Sequence, residues 1–303
     1  MPSTVIVFTQ EGLDALSGAD ELEPVLVDAG DRSTWPGSAR AVVAAGASSD
    51  DVLEVVRAVE GVEVVQTLSA GVETWLGRLP DGVSLVNGRG AHGGATAEWA
   101  VTVLLAMRRG IPGFVRQQDR HDWSDAGSPG LQGAHVLVVG AGDLGEQTRL
   151  RLDGFGCTVT LVARTAREGV RGTDELPELL PDADAVVLVV PLTDATRGLV
   201  DAAFLARMKD GAALVNAARG QVVDTDALLA ELQAGRLVAG LDVTDPEPLP
   251  EDHPLWDAPG LLLTPHVGGQ TGGSTERAWG VVREQLLALA RGERPSNTVG
   301  DEY

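Results

Sequence analysis

The chain has 303 residues, of which 44% are hydrophobic, so it is long enough to form two domains with sizeable cores. The formal net charge of -21 argues against nucleic acid and anionic membrane surfaces as partners. No apolar run approaches the roughly 20 residues that a membrane span needs. The N-terminus has no signal-peptide pattern, so a cytoplasmic location is expected. Cys157 is the only cysteine, which excludes an intrachain disulfide and a cysteine-cluster metal site, and no metal is expected.

The first third of the chain alternates strand and helix patterns, which predicts a small α/β unit with a parallel sheet. The predicted elements are strands at 4–8, 24–27, 40–45, 62–66 and 83–86, and a helix with apolar positions from 52 to 59. Residues 95–107 form a helical pattern that is apolar nearly all round, which predicts a helix buried between other elements. Residues 110–133 are rich in Gly, Pro and polar side chains. We interpret them as an extended connection and as a candidate contact with another subunit.

From residue 134 the alternation resumes and fits a doubly wound sheet of six strands. The predicted elements are strands at 134–139, 158–162, 184–190, 212–216, 237–241 and 261–263, and helices at 143–153, 201–207 and 224–234. A last helix at about 272–291 is a candidate to pack on the N-terminal unit, and the last few residues are expected to be disordered. The predicted class is α/β, with a Rossmann-type domain at 95–270. A smaller, discontinuous flavodoxin-like substrate domain is expected at 1–94 and 271–303.

Residues 136–145 place a G-x-G-x-x-G turn directly after an apolar strand and before a helix, which is typical of a dinucleotide site. Gly140 allows the tight turn, Gly142 allows close approach of a phosphate, and Gly145 allows close packing of helix on strand. Asp143 and Leu144 open the helix whose N-terminus faces the pyrophosphate. The alternative is a Gly-rich turn with a purely structural role.

The end of the second strand of this unit indicates which dinucleotide binds. An NAD site usually has Asp or Glu there to accept from the ribose hydroxyls, but this chain has Ala163 followed by Arg164. An arginine donates to a phosphate and does not accept a hydrogen bond. We therefore predict NADP(H) as the preferred cofactor, with Arg164, Thr165 and Arg167 at the 2′-phosphate, and NAD(H) as possible. The alternative is that these arginines are solvated surface residues.

Three segments follow predicted strands of the second half and carry the residues for chemistry. They are 216–220, 242–248 and 264–269, which contain Arg219, Glu247 and His266. Ligands of open α/β sheets bind at the carboxyl ends of the strands, so all three segments point to the dinucleotide crevice. Arginine suits the oxygens of an anionic substrate, histidine suits proton transfer, and glutamate favours the charged imidazole. Taken singly, each residue is more often structural than catalytic, but the three together, in this order and beside a dinucleotide turn, favour a catalytic role.

In its order of motifs the chain resembles the D-isomer-specific 2-hydroxyacid dehydrogenases over nearly its whole length. The similar segments are 66–71, 96–98, 140–145, 191–193, 216–224, 240–248, 253–256 and 264–269. The resemblance implies that Arg219 binds substrate, that Glu247 orients and charges the histidine, and that His266 is the general acid and base. It also implies a homodimer.

The resemblance implies further contacts residue by residue. It places five residues at the cofactor: Pro191, Thr196, Ala217, Asp242 and Gly269. Of these, Asp242 and Gly269 are expected near the nicotinamide carboxamide. It places the backbone amides of Ala70 and Gly71 at the substrate carboxylate. His92, in a Gly-rich loop, is either a substrate contact or a simple loop residue.

The implied function is reduction of a small 2-keto acid to a D-2-hydroxy acid by hydride transfer from NAD(P)H. The pair Arg164-Thr165 looks like that of the NADP-dependent glyoxylate and hydroxypyruvate reductases of the family. The formate dehydrogenases of the family have Gln where Glu247 stands, which argues against that activity. Two alternatives stay open: an NADH-dependent reductase of branched or aromatic keto acids, and a dinucleotide-sensing protein that resembles the co-repressors of the family.

Overall fold

The computed structural model describes residues 1–125 and 127–300. Residues 301–303, to which the prediction of disorder applies, lie outside the described residues. The chain forms two compact units. Unit 1 runs from Met1 to His92 and resumes at Gly272, and unit 2 is Gly93–Thr271. Each unit contains one parallel sheet with helices, which confirms the predicted α/β class. The functional division into a substrate domain and a dinucleotide-binding domain remains a prediction.

Within the described residues, unit 1 contains five strands and three α-helices. The strands are β1 Ser3–Val7, β2 Leu22–Leu26, β3 Ala41–Ala44, β4 Val64–Thr67 and β5 Ser84–Val86. The helices are α1 Gln10–Leu16, α2 Ser49–Ala58 and α9 Ser274–Ala290, the last helix of the chain. The strand order β2-β1-β3-β4-β5 is that of flavodoxin-like folds.

The two faces of this sheet bury different apolar clusters, because successive side chains of a strand point to opposite faces. Val5 and Val7 face a cluster that includes Trp279 and Val282 of α9. Ile6 lies on the other face, in the cluster that α2 covers. The last helix therefore packs on the sheet of the N-terminal unit.

Unit 2 contains a seven-stranded parallel sheet. The strands are β6 His135–Val139, β7 Thr158–Ala163, β8 Val170–Gly172, β9 Ala185–Leu188, β10 Ala213–Asn216, β11 Val238–Leu241 and β12 Leu261–Leu263. The helices are α3 Gly93–Arg108, α4 Ile111–Asp119, α5 Asp143–Leu152, α6 Leu176–Leu179, α7 Ala202–Arg207 and α8 Thr225–Gln233. The strand order is β12-β11-β10-β9-β6-β7-β8, which confirms the doubly wound, Rossmann-type arrangement. Short 3-10 helices lie at Arg32–Thr34, Asp153–Phe155, Thr173–Glu175, Leu180–Asp182, Gly220–Val222 and Pro254–Asp257.

Two predictions about unit 2 were wrong. The sheet has seven strands and not six, because β8 is an edge strand of three residues, too short to show an alternating pattern. The stretch 110–133 is not wholly extended, since α4 occupies Ile111–Asp119. Pro112 lies in the first turn of this helix, where the backbone N–H has no intrahelical partner. A proline at this position is therefore compatible with the helix.

The order of the seven strands reverses between β6 and β9, which form a neighbouring pair. The chain runs outward on one side through β7 and β8, and on the other side through β10, β11 and β12. The carboxyl ends of neighbouring parallel strands at such a switch point leave a crevice for a ligand. The glycine-rich turn follows β6, and the predicted catalytic segments follow β10, β11 and β12.

Candidate active site

The turn after β6 has the geometry that a pyrophosphate requires. Gly140 has a φ of 119°, a conformation that L side chains rarely adopt. A Cβ on Gly145 would overlap with the carbonyl oxygen of Gly140, so α5 packs on the turn only because residue 145 is glycine. Asp143 and Leu144 form the first turn of α5. Gly142 precedes this helix, and a Cβ there would meet none of the described atoms within 4 Å, which leaves room for a phosphate at the helix N-terminus.

The loop after β7 carries the residues predicted at the 2′-phosphate. Arg164, Thr165 and Arg167 are exposed beyond the end of the strand. Arg167 Nη2 donates to the carbonyl oxygen of Ala141 at 2.9 Å, so this guanidinium reaches the glycine-rich turn. The backbone of Arg167 also exchanges hydrogen bonds with Val170, which fixes the tight turn into β8. The loop therefore places Arg167 beside the predicted dinucleotide site, while the contact with a 2′-phosphate stays a prediction.

The loops after β9 and β10 are tied to the strand ends by hydrogen bonds. The Thr196 hydroxyl donates to the carbonyl oxygen of Pro191 at 2.6 Å and accepts from the N–H of Thr193 at 2.8 Å. The N–H of Ala217 donates to the carbonyl oxygen of Leu188 at 3.1 Å. Pro191, Thr196 and Ala217 therefore lie at the carboxyl ends of two central strands, and their contacts with a cofactor stay predictions.

The turn that carries Arg219 is shaped by a buried amide. Asn216, which ends β10 and is 1% exposed, donates from Nδ2 to the carbonyl oxygen of Arg219 at 2.9 Å and accepts from the N–H of Ala218 at 3.0 Å. A Cβ on Gly220 would overlap with the carbonyl oxygen of Thr244, so this turn packs directly on the segment that follows β11. Arg219 itself is half-buried. The fold thus fixes the backbone from which the guanidinium projects.

His266 and Glu247 form a side-chain hydrogen bond, although 19 residues separate them in the chain. The distance between His266 Nδ1 and Glu247 Oε1 is 2.6 Å. This contact leaves Nε2 as the ring nitrogen for a substrate. The side chains are 49% and 39% exposed, respectively, so a small molecule can reach the imidazole. The carboxylate thus holds the imidazole through one ring nitrogen, an arrangement that is typical of histidines that transfer protons.

Asp242 organises the loop that carries His266. Its carboxylate accepts from the hydroxyl of Thr264 at 2.6 Å and from the backbone N–H groups of Val267 at 2.9 Å and Gly268 at 2.7 Å. Its carbonyl oxygen accepts from the N–H of His266 at 2.8 Å. Asp242 is only 4% exposed, so few water molecules compete for these hydrogen bonds.

His266 has a φ of 54°, in the left-handed region that is uncommon for residues other than glycine. Such a conformation costs about 1–3 kcal/mol and persists only where the surroundings impose it. Hydrogen bonds to Asp242 come from Thr264 before this residue and from Val267 and Gly268 after it, and they supply that constraint. Gly269, the other residue predicted near the carboxamide, is half-buried at the end of the same loop.

In unit 1, the carbonyl groups of the loop after β4 accept hydrogen bonds from the loop after β5. The carbonyl oxygen of Ser69 accepts from the N–H of Gly88 at 2.7 Å, and that of Ala70 accepts from Asn87 Nδ2 at 3.1 Å. Because C=O and N–H of a trans peptide point in opposite directions, the N–H of Ala70 points away from Gly88, and the N–H of Gly71 points away from Asn87. This orientation suits an anion, as predicted for the substrate carboxylate.

His92 ends the first segment of unit 1 and is half-buried. Its Nδ1 is a buried polar atom for which the described residues provide no hydrogen-bond partner. Buried polar atoms are usually paired, so an orphaned ring nitrogen is compatible with a contact to a ligand. The choice between a substrate contact and a simple loop residue stays open.

Sequence reasoning missed the residues that hold the site loops in place. Asn216 and Asn87 are 1% and 7% exposed, and each directs an amide at a neighbouring backbone carbonyl. The sequence contains a signal for both, because each is a short polar residue at the end of an apolar strand: Asn216 is the last residue of β10, and Asn87 directly follows β5. Buried polar side chains at such positions usually hydrogen-bond to the backbone of the loop that follows.

The described residues thus combine a dinucleotide turn, an arginine and a carboxylate-held histidine at the carboxyl ends of one parallel sheet. This fold and site define a dinucleotide-dependent oxidoreductase of the α/β class. Residues 101–268 match the family model described as "D-isomer specific 2-hydroxyacid dehydrogenase, NAD binding domain". The chain belongs to the D-isomer specific 2-hydroxyacid dehydrogenase family, whose members are NAD(P)-dependent enzymes.

Curated relatives differ in length from this chain. It is 34% identical to a glyoxylate reductase of Korarchaeum cryptofilum over 233 residues, which cover 73% of this chain and 70% of the relative. It is 32% identical to a D-3-phosphoglycerate dehydrogenase of Methanocaldococcus jannaschii over 257 residues, which cover 81% of this chain but only 49% of the relative. The chain therefore spans about half the length of that dehydrogenase.

Solved structures match over the full chain. A D-isomer specific 2-hydroxyacid dehydrogenase of Xanthobacter autotrophicus Py2, in complex with NADPH and MES, is 30% identical with a TM-score of 0.84 and 99% coverage of both chains. An NADPH-dependent glyoxylate/hydroxypyruvate reductase of Sinorhizobium meliloti, in complex with NADP and sulfate, is 27% identical with a TM-score of 0.83 and 98% coverage of both chains. These similarities confirm the predicted family and fold.

Within 1–125 and 127–300, no group of three or more His, Cys, Asp or Glu side chains is placed to hold a metal ion. No helix in the same ranges is both long enough and apolar enough to cross a membrane.

Proposed function

We propose that the protein reduces a small 2-keto acid to a D-2-hydroxy acid with NADPH. The observation that carries the proposal is the hydrogen bond between His266 Nδ1 and Glu247 Oε1 at 2.6 Å, which joins two loops that follow strands of the same sheet as the dinucleotide turn. A carboxylate-held imidazole is a proton donor, and a ketone that receives a hydride needs a proton at its oxygen. The names of the structural neighbours support NADPH and glyoxylate or hydroxypyruvate as the chemistry to test first.

The residues of unit 2 fit a dinucleotide. The turn at Gly140, Gly142 and Gly145 with the N-terminus of α5 would hold the pyrophosphate, and the residues after β9 to β12 would line the nicotinamide. When bound, the reduced nicotinamide supplies a hydride. The proposed division of labour assigns the dinucleotide to unit 2 and the substrate carboxylate partly to unit 1, through Ala70 and Gly71.

The roles of the catalytic residues follow from their chemistry. Arg219 would bind the substrate carboxylate and polarise the ketone oxygen, where negative charge develops during hydride addition. His266, protonated and held through Nδ1, would donate the proton from Nε2 to this oxygen. Glu247 would keep the imidazole oriented and stabilise its charged form by proximity. In the reverse reaction the same imidazole, now neutral, would accept the proton.

The preference for NADPH rests on the loop after β7. Position 163 is alanine and offers no carboxylate to the ribose hydroxyls, and Arg167 lies beside Ala141 of the glycine-rich turn. Both features favour binding of the 2′-phosphate of NADPH by the loop after β7. We expect Arg164→Ala to raise the KM for NADPH roughly tenfold and to leave the KM for NADH within about twofold, since a charge-assisted hydrogen bond contributes about 1.5–3 kcal/mol. Steady-state kinetics with both cofactors measure this. Equal changes in the two constants would refute the assignment.

The proposed partner, besides the keto acid, is a second copy of the chain. Helix α4 buries none of its side chains within the described residues, and Ile111 and Val115 on it are 47% and 53% exposed. Trp123, shortly after it, is fully exposed. Exposed apolar side chains grouped on one segment are typical of an interface. Light scattering should give twice the monomer mass, and a monomer at micromolar concentration would contradict the proposal.

The function itself is tested with a panel of keto acids. The pure protein is assayed for oxidation of NADPH and NADH with glyoxylate, hydroxypyruvate, pyruvate, phenylpyruvate and 2-ketoisocaproate. Turnover with NADPH and one small keto acid supports the proposal. Preference for NADH and a bulky keto acid would replace it with a reductase of branched or aromatic substrates. Binding of NADPH without turnover of any substrate would favour a dinucleotide sensor.

The role of His266 has its own variant. We expect His266→Ala to lower kcat by a factor of about 10² or more without changing the affinity for NADPH. A near-normal kcat in the variant would refute the role.

A further inference from the structure

The loop at residues 68–71, which we name the carboxylate loop, is held against the loop after β5 by backbone contacts. Gly88 donates from its N–H to the carbonyl oxygen of Ser69 at 2.7 Å. A Cβ on Gly88 would overlap with the carbonyl oxygen of Leu68, so the two backbones touch. The direction of the loop amides therefore depends on where residues 87–89 lie.

Asn87 is the side chain that joins these two loops. Its Nδ2 donates to the carbonyl oxygen of Ala70 at 3.1 Å, and its Oδ1 accepts from the N–H of Arg89 at 3.1 Å. The peptide between Ala70 and Gly71 is thus held by its carbonyl oxygen, which turns the N–H of Gly71 the other way. Asn87 is 7% exposed, so water does not readily replace this hydrogen bond.

Asn87 is in turn held by the segment that follows the last helix. Asn297 Nδ2 donates to the carbonyl oxygens of Asn87 at 3.1 Å and of Arg89 at 2.9 Å, and its own carbonyl oxygen accepts from the N–H of Asn87 at 3.1 Å. Asn297 is 7% exposed. Its N–H donates to Oε1 of the buried Gln285 on α9 at 2.9 Å. The N–H of Val299 donates to the carbonyl oxygen of Leu85, which adds this segment to the edge of β5.

We propose that Asn297 and Asn87 are positioning residues for the substrate carboxylate, with Asn297 acting through Asn87 on the carboxylate loop. This inference rests on the proposed function, in which the amides of Ala70 and Gly71 bind that carboxylate. The chain of contacts runs from α9 through Asn297 to Asn87 and then to the carbonyl oxygen of Ala70. The proposal thus gives the segment around Asn297 a role in substrate binding, although this segment is more than 200 residues from Asn87 in the sequence.

The test separates substrate binding from cofactor binding and from stability. Asn87→Ala removes the donor to Ala70, and Asn297→Ala removes the side chain that holds Asn87. We expect each to raise the KM for the keto acid, roughly tenfold and fivefold respectively, because a loosened loop presents its amides in many directions. We expect kcat to change by less than about threefold, since the proton donor and the dinucleotide site belong to unit 2.

The double variant tests the proposed order of action. If Asn297 acts through Asn87, its removal adds little once Asn87 is alanine, and the KM of the double variant stays within about twofold of that of Asn87→Ala. Multiplication of the two single effects would overturn the relay. The inhibition constant of oxalate, a dicarboxylate that accepts no hydride, should rise in parallel with KM, whereas the dissociation constant of NADPH should not change.

A matched control is Arg40→Gln. Arg40 Nη1 donates to the carbonyl oxygen of Leu289 at 3.1 Å, and two other guanidinium nitrogens bind Glu63 at 2.8 Å each, so it also ties α9 to the sheet of unit 1. This variant should lower the midpoint of thermal unfolding and leave the KM unchanged. A rise in KM as large as that of Asn297→Ala would mean that general loosening of unit 1 explains the effect, which overturns the inference.

The outcomes distinguish this inference from the proposed function. If the wild type turns over no keto acid, the proposed function fails. If the wild type is active and Asn87→Ala has the wild-type KM, only the positioning role fails. Should an alanine variant fold poorly, Asn87→Asp is the second choice, because it keeps the size and the acceptor of the side chain but loses the donor to Ala70. This variant is expected to show the same rise in KM.

Discussion

Replacement of Asp242 by asparagine tests whether the His266 loop is held by a carboxylate. In the wild type Oδ1 accepts from Thr264 at 2.6 Å and from Val267 at 2.9 Å, and Oδ2 accepts from Gly268 at 2.7 Å. The amide of Asp242→Asn has one acceptor and one donor group. If Nδ2 takes the place of Oδ2, the N–H of Gly268 loses its acceptor and faces another donor. If Nδ2 takes the place of Oδ1, two donors lose theirs.

The smaller of these losses sets the expected magnitude. One hydrogen bond to a charged acceptor contributes about 1.5–3 kcal/mol, and the remaining bonds weaken when the charge is removed. The loop also holds His266 at a φ of 54°, so a weakened anchor lets the backbone relax toward more favourable conformations. We therefore expect kcat/KM to fall by about 30- to 100-fold, with most of the loss in kcat, since about 1.4 kcal/mol corresponds to a factor of ten.

Steady-state kinetics and cofactor titration together decide the result. Because sequence similarity also places Asp242 near the nicotinamide carboxamide, the dissociation constant of NADPH is measured alongside kcat. A loss in kcat at saturating NADPH supports the anchoring role. A loss confined to NADPH affinity, with kcat within about threefold of the wild type, would refute it. Thr264→Val is the graded control, because it removes one donor to Oδ1 and keeps the carboxylate, and its effect on kcat should be smaller.

Two predictions concern stability. Burial raises the pKa of Asp184, but hydrogen bonds from the N–H of His135 and from Lys209 outweigh it and hold the pKa below its usual range. The ionised carboxylate therefore stabilises the fold above about pH 4, and this stabilisation is lost as the pH falls toward the folded-state pKa. Asp184→Asn should lower the free energy of unfolding, measured with urea at pH 7, by about 1–2 kcal/mol. An equal loss at pH 3 would contradict the reasoning. Gly145→Ala should lower stability by about 1–3 kcal/mol and weaken NADPH binding, whereas Gly280→Ala, at an exposed position of α9, should do neither.

Much of the fold was predictable because its strands are apolar and regularly spaced. The five strands of unit 1 and six of the seven strands of unit 2 lie within a few residues of their predicted positions. Parallel sheets buried on both faces give continuous apolar runs, which are strong signals. The exceptions had weak signals: β8 has only three residues, and α4 begins with Ile111-Pro112 and contains Gly113, a composition that is typical of loops.

The contact between the predicted acid and its partner was also foreseeable, and the structure shows why. His266 and Glu247 follow neighbouring strands, β12 and β11, which pair in parallel. Segments that leave neighbouring parallel strands at their carboxyl ends start about 5 Å apart, so side chains from the two loops can meet. The order of the strands in the sheet therefore indicates which polar segments lie close enough to meet. The chemical roles of these two residues remain proposals.

The supports of the site were not foreseeable in the same way. Asp242 and Asn87 each bind backbone groups of a neighbouring loop, and which groups they reach depends on loop conformations that have no sequence period. The sequence placed Asp242 at the cofactor because its family position suggests that contact, yet both of its carboxylate oxygens already accept hydrogen bonds from the loop that carries His266. A buried polar residue directly after a strand therefore has two candidate roles, contact with a ligand and support of a loop. Here the geometry assigns support of a loop to Asn87. For Asp242 both roles fit, because each carboxylate oxygen has further capacity to accept a hydrogen bond from a ligand.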